Sequence, residues 1–344
     1  MRRSVSYRLG FAVKVLGEGG ISSADTRRWQ SQPSLARSIE LLGPVFEYLD
    51  RIDVRVYRLS SQVIPYGTHP DLPAFAYARQ LDAAARELDA LADRATALGL
   101  RLSTHPGQYT VLNAEDDAIV RKAMLDVEQD ALLLDRLGQG PDGTVVIHVG
   151  GAYGDPLRAR DRWARNWERL SERARRRVGL ENDEHSFDLE DVLWLHERTG
   201  VRVVLDVHHH RVHPGGSSVD LGAAVAATTA TWPPGTRPKV HLSSVRTTLE
   251  DGLPDPASGR GRSIRRSAST SAIGYPKLAN HADLISPWDL EAVVRSAPCP
   301  IDVMLEAKAK DLAILWLRTI LPRVLPDVFA AEERRSPTRS PEPA

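Results

Sequence analysis

The chain has 344 residues, 42% of them hydrophobic, and its 45 Lys and Arg balance 45 Asp and Glu. That length allows a large core, while zero formal net charge excludes recognition of a polyanion by bulk charge and leaves only local patches. A single cysteine, Cys299, excludes an internal disulfide framework, and no run of about 18 apolar residues is present to span a membrane.

The N-terminus, MRRSVSYRLGFAVKVLG, is interrupted by Arg8 and Lys14 and alternates like a strand, so it is not read as a signal peptide. A cytoplasmic, nucleoid-associated protein is expected. Tyr7 to Val15 reads as the first strand, and 17–32 as a polar excursion. Ser34 to Leu49 carries apolar residues at helical spacing, and Asp53 to Leu59 is a second strand followed by SSQVIPYGTHPDLP. Ala74 to Leu98, rich in Ala and Leu, is one long helix stopped by Gly99, and Leu100 to Thr104 runs as a strand into His105-Pro106-Gly107-Gln108-Tyr109. Asp116 to Leu137 is a helix, Thr144 to Val149 a strand, Leu157 to Arg175 a helix and Val178 to Glu181 a short strand. Asp188 to Arg198 is a helix closed by Gly200. The strand at 201–206 leads into HHHRVHP, and an Ala-rich helix covers about 219–229. Lys239 to Leu242 and Ile301 to Leu305 are the last strands, with a final helix from Asp311 to Leu321.

Roughly eight strand-then-helix units predict an α/β fold, a (β/α)₈ TIM barrel forming one domain over 1–330. An open doubly wound sheet would carry a Gly-rich phosphate fingerprint after its first strand, and none is present. The Gly/Ser/Arg-rich stretch Leu249 to Ser271 is expected to be a flexible basic insertion, and 331–344 a disordered tail. The arginines at 173 and 175–177 read as a solvated charge run at the bottom of the barrel.

In a parallel barrel the C-terminal strand ends converge on one mouth. There lie His105, His148, Glu181, Asp206, His209, His241, His281 and Glu306. Five histidines and three carboxylates would be an intolerable cluster of unpaired polar heads unless cations neutralised it. Eight ligands exceed what one ion can use, so two or three divalent ions are implied, with Glu181 as bridge. Ions about 4 Å apart suit in-line displacement at phosphorus. Sugar isomerases favour carboxylate-dominated sets, and the histidine excess points instead to phosphodiester hydrolysis.

RLSTHPGQYTVLNA, VIHVGGAYGD, LENDEHSFDLEDVL, VVLDVHHHRVHP, KVHLSS and DVMLEAKAKDLA resemble, in order, the blocks of the UV damage endonuclease family over about 7–318. The resemblance implies a TIM barrel related to apurinic endonucleases of the endonuclease IV type. It implies nicking of damaged double-stranded DNA 5′ of UV photoproducts, leaving 3′-hydroxyl and 5′-phosphate ends. It further implies Mn²⁺, with Zn²⁺ or Co²⁺ as alternatives, bound by the eight residues above. Lys239 falls where the family has a lysine facing the metals, carboxylated in some members. Gln108 and Tyr109 fall on the pair that probes the distorted duplex, and His69 matches a histidine-proline near the site that contacts ligands or DNA backbone. After the first strand the family often has an aromatic residue and a nearby asparagine; Phe11 is present and is expected among the DNA-contacting residues, but Lys14 follows and no asparagine. A monomer with no membrane association is expected. The alternatives are a general apurinic endonuclease, a sugar isomerase on the same barrel, and a non-catalytic damage-binding module.

Overall fold

The computed structural model describes residues 5–214, 218–247 and 278–334. Its eight strands are β1 (Tyr7–Ala12), β2 (Val56–Arg58), β3 (Arg101–Thr104), β4 (Thr144–His148), β5 (Val178–Glu181), β6 (Arg202–Asp206), β7 (Lys239–Leu242) and β8 (Ile301–Leu305). Each pairs in parallel with the next, and β8 returns to β1 from Tyr7↔Ile301 to Phe11↔Leu305, which closes the barrel. The expected (β/α)₈ architecture is therefore present. Every residue of β6 and of β8 is buried, as parallel strands covered on both faces must be, and this is why Val203 to Leu205 and Val303 to Leu305 run apolar without alternation.

Twelve α-helices surround the barrel: α1 (Leu35–Arg51), α2 (Tyr77–Ala83), α3 (Ala85–Ala97), α4 (Asp117–Arg136), α5 (Pro156–Trp167), α6 (Glu172–Arg177), α7 (Leu189–Thr199), α8 (Val207–Val212), α9 (Leu221–Ala230), α10 (Pro287–Ser296), α11 (Asp311–Val324) and α12 (Pro326–Ala331), counted among the described residues. Ser34, Asp116, Asp155, Ser171, Asp188, Asp206 and Asp220 each cap a helix by accepting a backbone N–H of its first turn. Helix α7 ends on Gly200 at φ 73°, the left-handed cap that glycine adopts without strain. The core lies between barrel and helices; Leu42, Phe46 and Leu49 of α1 are fully buried, each contributing about 1.5–3 kcal/mol by leaving water. No helix among the described residues is long and apolar enough to cross a membrane.

The floor of the barrel is closed by charge. Asp302 of β8 is completely buried, and its two oxygens accept from Arg8 Nε and Nη2 at 2.7 Å each, with Arg101 on Oδ2 and Arg237 Nε at 3.3 Å.

Several expectations need correction. The helix expected over 74–98 breaks at Ala84, φ −103° and ψ 22°, into α2 and α3, and Gln80 in the first segment donates to Pro65 O and Phe75 O. The helix expected over 157–175 stops near Trp167 and restarts at Ser171, whose hydroxyl caps α6. Short helix α8 follows β6 directly, and α10 supplies the helix between β7 and β8. Arg177 is not part of a solvated run: it is 7% exposed, paired with Asp135, and donates to Gln139 O, Gly140 O and Gly143 O. Glu332 and Glu333, expected to lie in the tail, are held by the fold: Glu332 is buried against Arg318 and the Glu333 N–H donates to Tyr7 O at 2.7 Å. The Leu249 to Ser271 insertion and 335–344 lie outside the described residues.

Candidate metal centre at the barrel mouth

The strands deliver their last residues to one place. Glu181, ending β5, stands at the centre: its Oε2 is 3.1 Å from His105 Nε2 and 3.6 Å from His148 Nε2, and its Oε1 is 2.7 Å from His241 Nδ1. Glu306, just beyond β8, puts Oε1 3.3 Å from the same His241 nitrogen and pairs with Arg58 at the end of β2. Two groups of candidate ligand atoms result, each with all its atoms within 4.8 Å of one another. One is His105, His148 and Glu181; the other is Glu181, Asp206, His241 and Glu306, so that Glu181 belongs to both.

Surrounding hydrogen bonds aim these groups. His105 Nδ1–H donates to Pro106 O at 3.1 Å, which leaves its Nε2 lone pair facing the Glu181 oxygen. Two lone pairs 3.1 Å apart repel unless a proton or a cation lies between them, and burial lowers the affinity of the His105 ring for a proton. Asp206 Oδ1 accepts the His209 N–H at 2.7 Å, while its Oδ2 is buried without a partner. His148 Nδ1, His241 Nε2 and His281 Nδ1 are likewise buried and unpartnered. Orphaned oxygen and nitrogen donors around a shared carboxylate fit divalent cations.

His209 and His281 stand beside these groups rather than in them. His209 Nδ1–H donates to Asn182 O at 3.0 Å, and its Nε2 lies 3.4 Å from Glu184 Oε2. Its ring centre is 5.8 Å from that of His148 and 5.9 Å from that of His281, and His281 stacks obliquely on His208 at 4.8 Å.

The electrostatics are those of a crowded anionic site. Burial opposes ionisation of Glu181, but His241 and His148 outweigh it and hold the carboxyl well below the usual range. Glu306 is held far down by Arg58 and His241 against the same burial. Burial pushes Asp206 up to about 7 and His281 down to about 4. Burial also works against a charged His209, yet Asp206 and Glu181 raise it to about 9. Lys239, two residues before His241, has a buried Nζ without a partner, and burial followed by Arg101 lowers it well below the usual lysine range.

The remaining expected residues divide. Gln108 is exposed and Tyr109 is 82% exposed at the tip of the loop after β3, which Thr110 anchors through its hydroxyl to Asp126 at 3.1 Å. His69 is exposed, with its Nδ1 accepting the Asp71 N–H at 3.2 Å, and no described contact joins it to the cluster. Phe11 corrects the expectation of a DNA contact: it is fully buried and packs edge-on to Tyr57 at 5.4 Å, so its ring belongs to the core. Arg58, Asn182 and Glu184 were not among the expected site residues. All three sit at or just after strand ends, so the rule that found the histidines and carboxylates would have found them if extended to every polar residue there.

The chain is similar to known proteins over most of its length. The family described as UV-endonuclease UvdE matches residues 35–328. A UV DNA damage endonuclease of Bacillus velezensis is 31% identical over 328 residues, covering 90% of this chain and 92% of that one. A UV-damage endonuclease of Neurospora crassa is 30% identical over 283 residues, covering 78% of this chain but only 38% of the longer relative. The crystal structure of SacUVDE superposes with a TM-score of 0.73 at 25% identity, covering 92% of this chain and 98% of that one.

Proposed function

The chain belongs to the UV-endonuclease UvdE family, and from that premise we propose that it nicks duplex DNA immediately 5′ of UV photoproducts and related helix-distorting lesions, leaving 3′-hydroxyl and 5′-phosphate ends. The observation that carries this reading is Glu181, one carboxylate shared between two donor groups beneath an exposed aromatic loop.

In this reading His105, His148, Glu181, Asp206, His209, His241, His281 and Glu306 hold two or three divalent ions, Mn²⁺ by preference. When bound, such ions activate water for attack at phosphorus and offset charge building on the leaving 3′-oxygen. Glu181 fixes the spacing of the donor groups, and Arg58 keeps Glu306 ionised as a ligand. The carbonyls of Pro106 and Asn182 set the tautomers of His105 and His209, so that each presents Nε2 inward. Lys239 is buried and biased toward its neutral amine, the form that can take up CO₂ as a carbamate with release of a proton and so supply a further oxygen. Gln108 and Tyr109 enter the distorted duplex, where the ring replaces lost stacking and the amide bonds exposed base edges. Lesions weaken stacking and make the bend less costly, so recognition rests on deformability and not on base sequence. His69, at the rim, contacts DNA backbone. The enzyme acts as a monomer.

The test is nicking of UV-irradiated supercoiled plasmid with Mn²⁺, beside unirradiated and abasic plasmid and an EDTA control. Metal-dependent nicking of irradiated DNA is expected, with end-labelling to locate the cut. Nicking of abasic DNA alone would replace this reading with a general apurinic endonuclease.

A further inference from the structure

The β8–α11 connection holds a lysine in a conformation that glycine would adopt with less strain. Ala309 to Leu312 is a tight turn closed by the Leu312 N–H donating to Ala309 O at 2.9 Å. Its second residue, Lys310, has φ 51° and ψ −122°, the backbone of the second residue of a type II′ turn, which favours glycine. Just beyond the neighbouring strand β1, Val13 has φ 65°, a rare position for a β-branched side chain. Val13 is fixed there by three bonds around it: its N–H donates to Arg58 O at 2.9 Å, the Tyr57 hydroxyl donates to Val13 O at 2.6 Å, and the Lys14 N–H donates to Ala12 O at 2.9 Å.

Asp311 locks the two strained turns together. Its buried carboxylate accepts the Leu16 N–H at 2.7 Å, the Gly17 N–H at 2.9 Å and the Tyr48 hydroxyl at 2.6 Å. A Cβ on Gly17 would fall 2.3 Å from the Tyr48 oxygen, so the packing there requires glycine. The bonds of Val13 to Arg58 O and of Asp311 to Leu16 and Gly17 bring the chain at Lys14, Arg58 and Lys310 together, near enough that Arg58, Glu306 and Lys14 all act electrostatically on Lys310. Glu306 is already paired with Arg58, and neither Lys14 nor Lys310 has a hydrogen-bonded or ion-paired side-chain partner among the described residues. Strain retained at two points, to hold three cations beside a single carboxylate, Glu306, at the mouth of the site, is the arrangement of a preorganised anion subsite.

We propose that Lys14, Arg58 and Lys310 clamp one backbone phosphate of the bound DNA strand on the β1–β2–β8 side of the mouth. This rests on the DNA-cleaving reading above. A phosphate contact sets affinity and register and carries no information about the lesion. It is thus distinct from the role of Gln108 and Tyr109.

The experiment measures binding of the full chain, in EDTA, to a fluorescent duplex with and without UV irradiation over a range of salt, with Mn²⁺-dependent nicking by the same preparation. Lys310→Gln is expected to weaken binding to both duplexes alike, by ~3–10-fold, and to reduce the slope of log K against log salt by about 0.9. Lys310→Gly should lose the same affinity with an unfolding midpoint no lower than wild type, which separates the clamp from a folding role. Arg176→Gln, on α6 at the floor end of β5, removes one cation elsewhere and should leave affinity and slope unchanged. If wild type neither binds nor nicks DNA, both readings fall. If wild type does so but Lys310→Gln behaves like Arg176→Gln, the clamp alone falls.

Discussion

The two ends of the barrel bury charge to opposite purposes. At the floor, Asp302 has its oxygens taken by Arg8 and Arg101, with Arg237 close by, all within the protein. At the mouth, Asp206 Oδ2, His148 Nδ1 and His241 Nε2 are buried with no partner, and His105 Nε2 faces an anionic oxygen. The floor also leaves buried atoms without hydrogen-bond partners, Arg101 Nη2 and Arg237 Nε, but these are cationic donors that no cation can satisfy. The mouth leaves a carboxylate oxygen and imidazole nitrogens, the atoms that hold a cation arriving from outside. The contrast separates an ionic plug from a site better than charge or burial alone, since both ends are charged and both are buried.

Three substitutions would break or sharpen that contrast. The largest effect should come from Glu181→Gln, which neutralises the carboxylate shared by both donor groups. Nicking of irradiated plasmid should fall at least ~1,000-fold, about 4 kcal/mol of transition-state stabilisation. The metal-free unfolding midpoint should hold or rise, and the stabilisation that Mn²⁺ gives wild type should be lost. A stable variant that still nicks at the wild-type rate would remove the mouth from the mechanism.

Asp302→Asn should do the reverse. It strands buried arginines and should lower stability by about 3 kcal/mol, read from urea unfolding, while the folded fraction nicks normally. Burial favours the neutral Asp302 carboxyl, but Arg101 and Arg8 outweigh it and hold its pKa below the ordinary 3.8. A depressed folded pKa contributes stability that is complete well above the unfolded value and is lost as pH falls through the folded one. The gap between wild type and Asp302→Asn should therefore be full near neutrality and close below pH 3.8. A gap that grew on acidification would contradict the plug.

The smallest change should follow Tyr109→Ala. The ring is 82% exposed, so stability should hardly move, while binding of irradiated duplex over unirradiated should lose ~1–2 kcal/mol of discrimination by competition assay. Equal loss on both duplexes would make the ring a general contact.

Most of the mouth is legible in the sequence because a parallel barrel imposes one simple rule: what ends a strand faces the same opening. His105, His148, Glu181, Asp206, His241 and Glu306 all follow from it. Phe11 is misjudged because the resemblance supplies an aromatic residue at the end of the first strand but not its direction, and β1 is buried on nearly every residue. The break at Ala84 is invisible in the sequence because alanine, a strong helix former, stands at and on both sides of it. Arg177 looks like its exposed neighbours by composition; only the fold brings Asp135 and the carbonyls of 139–143 around it. The cation brace at Lys310 could not be read at all, because backbone strain leaves no trace in residue type.

Glu332 and Glu333, bonded to Arg318 and to Tyr7 O, bring the last described residues against the first strand. The barrel is in effect a ring whose final joint is made of hydrogen bonds, and that joint lies at the floor, diametrically away from Glu181. A label attached at this joint would sit at the far end of the barrel from the clustered donor groups and leave the mouth untouched.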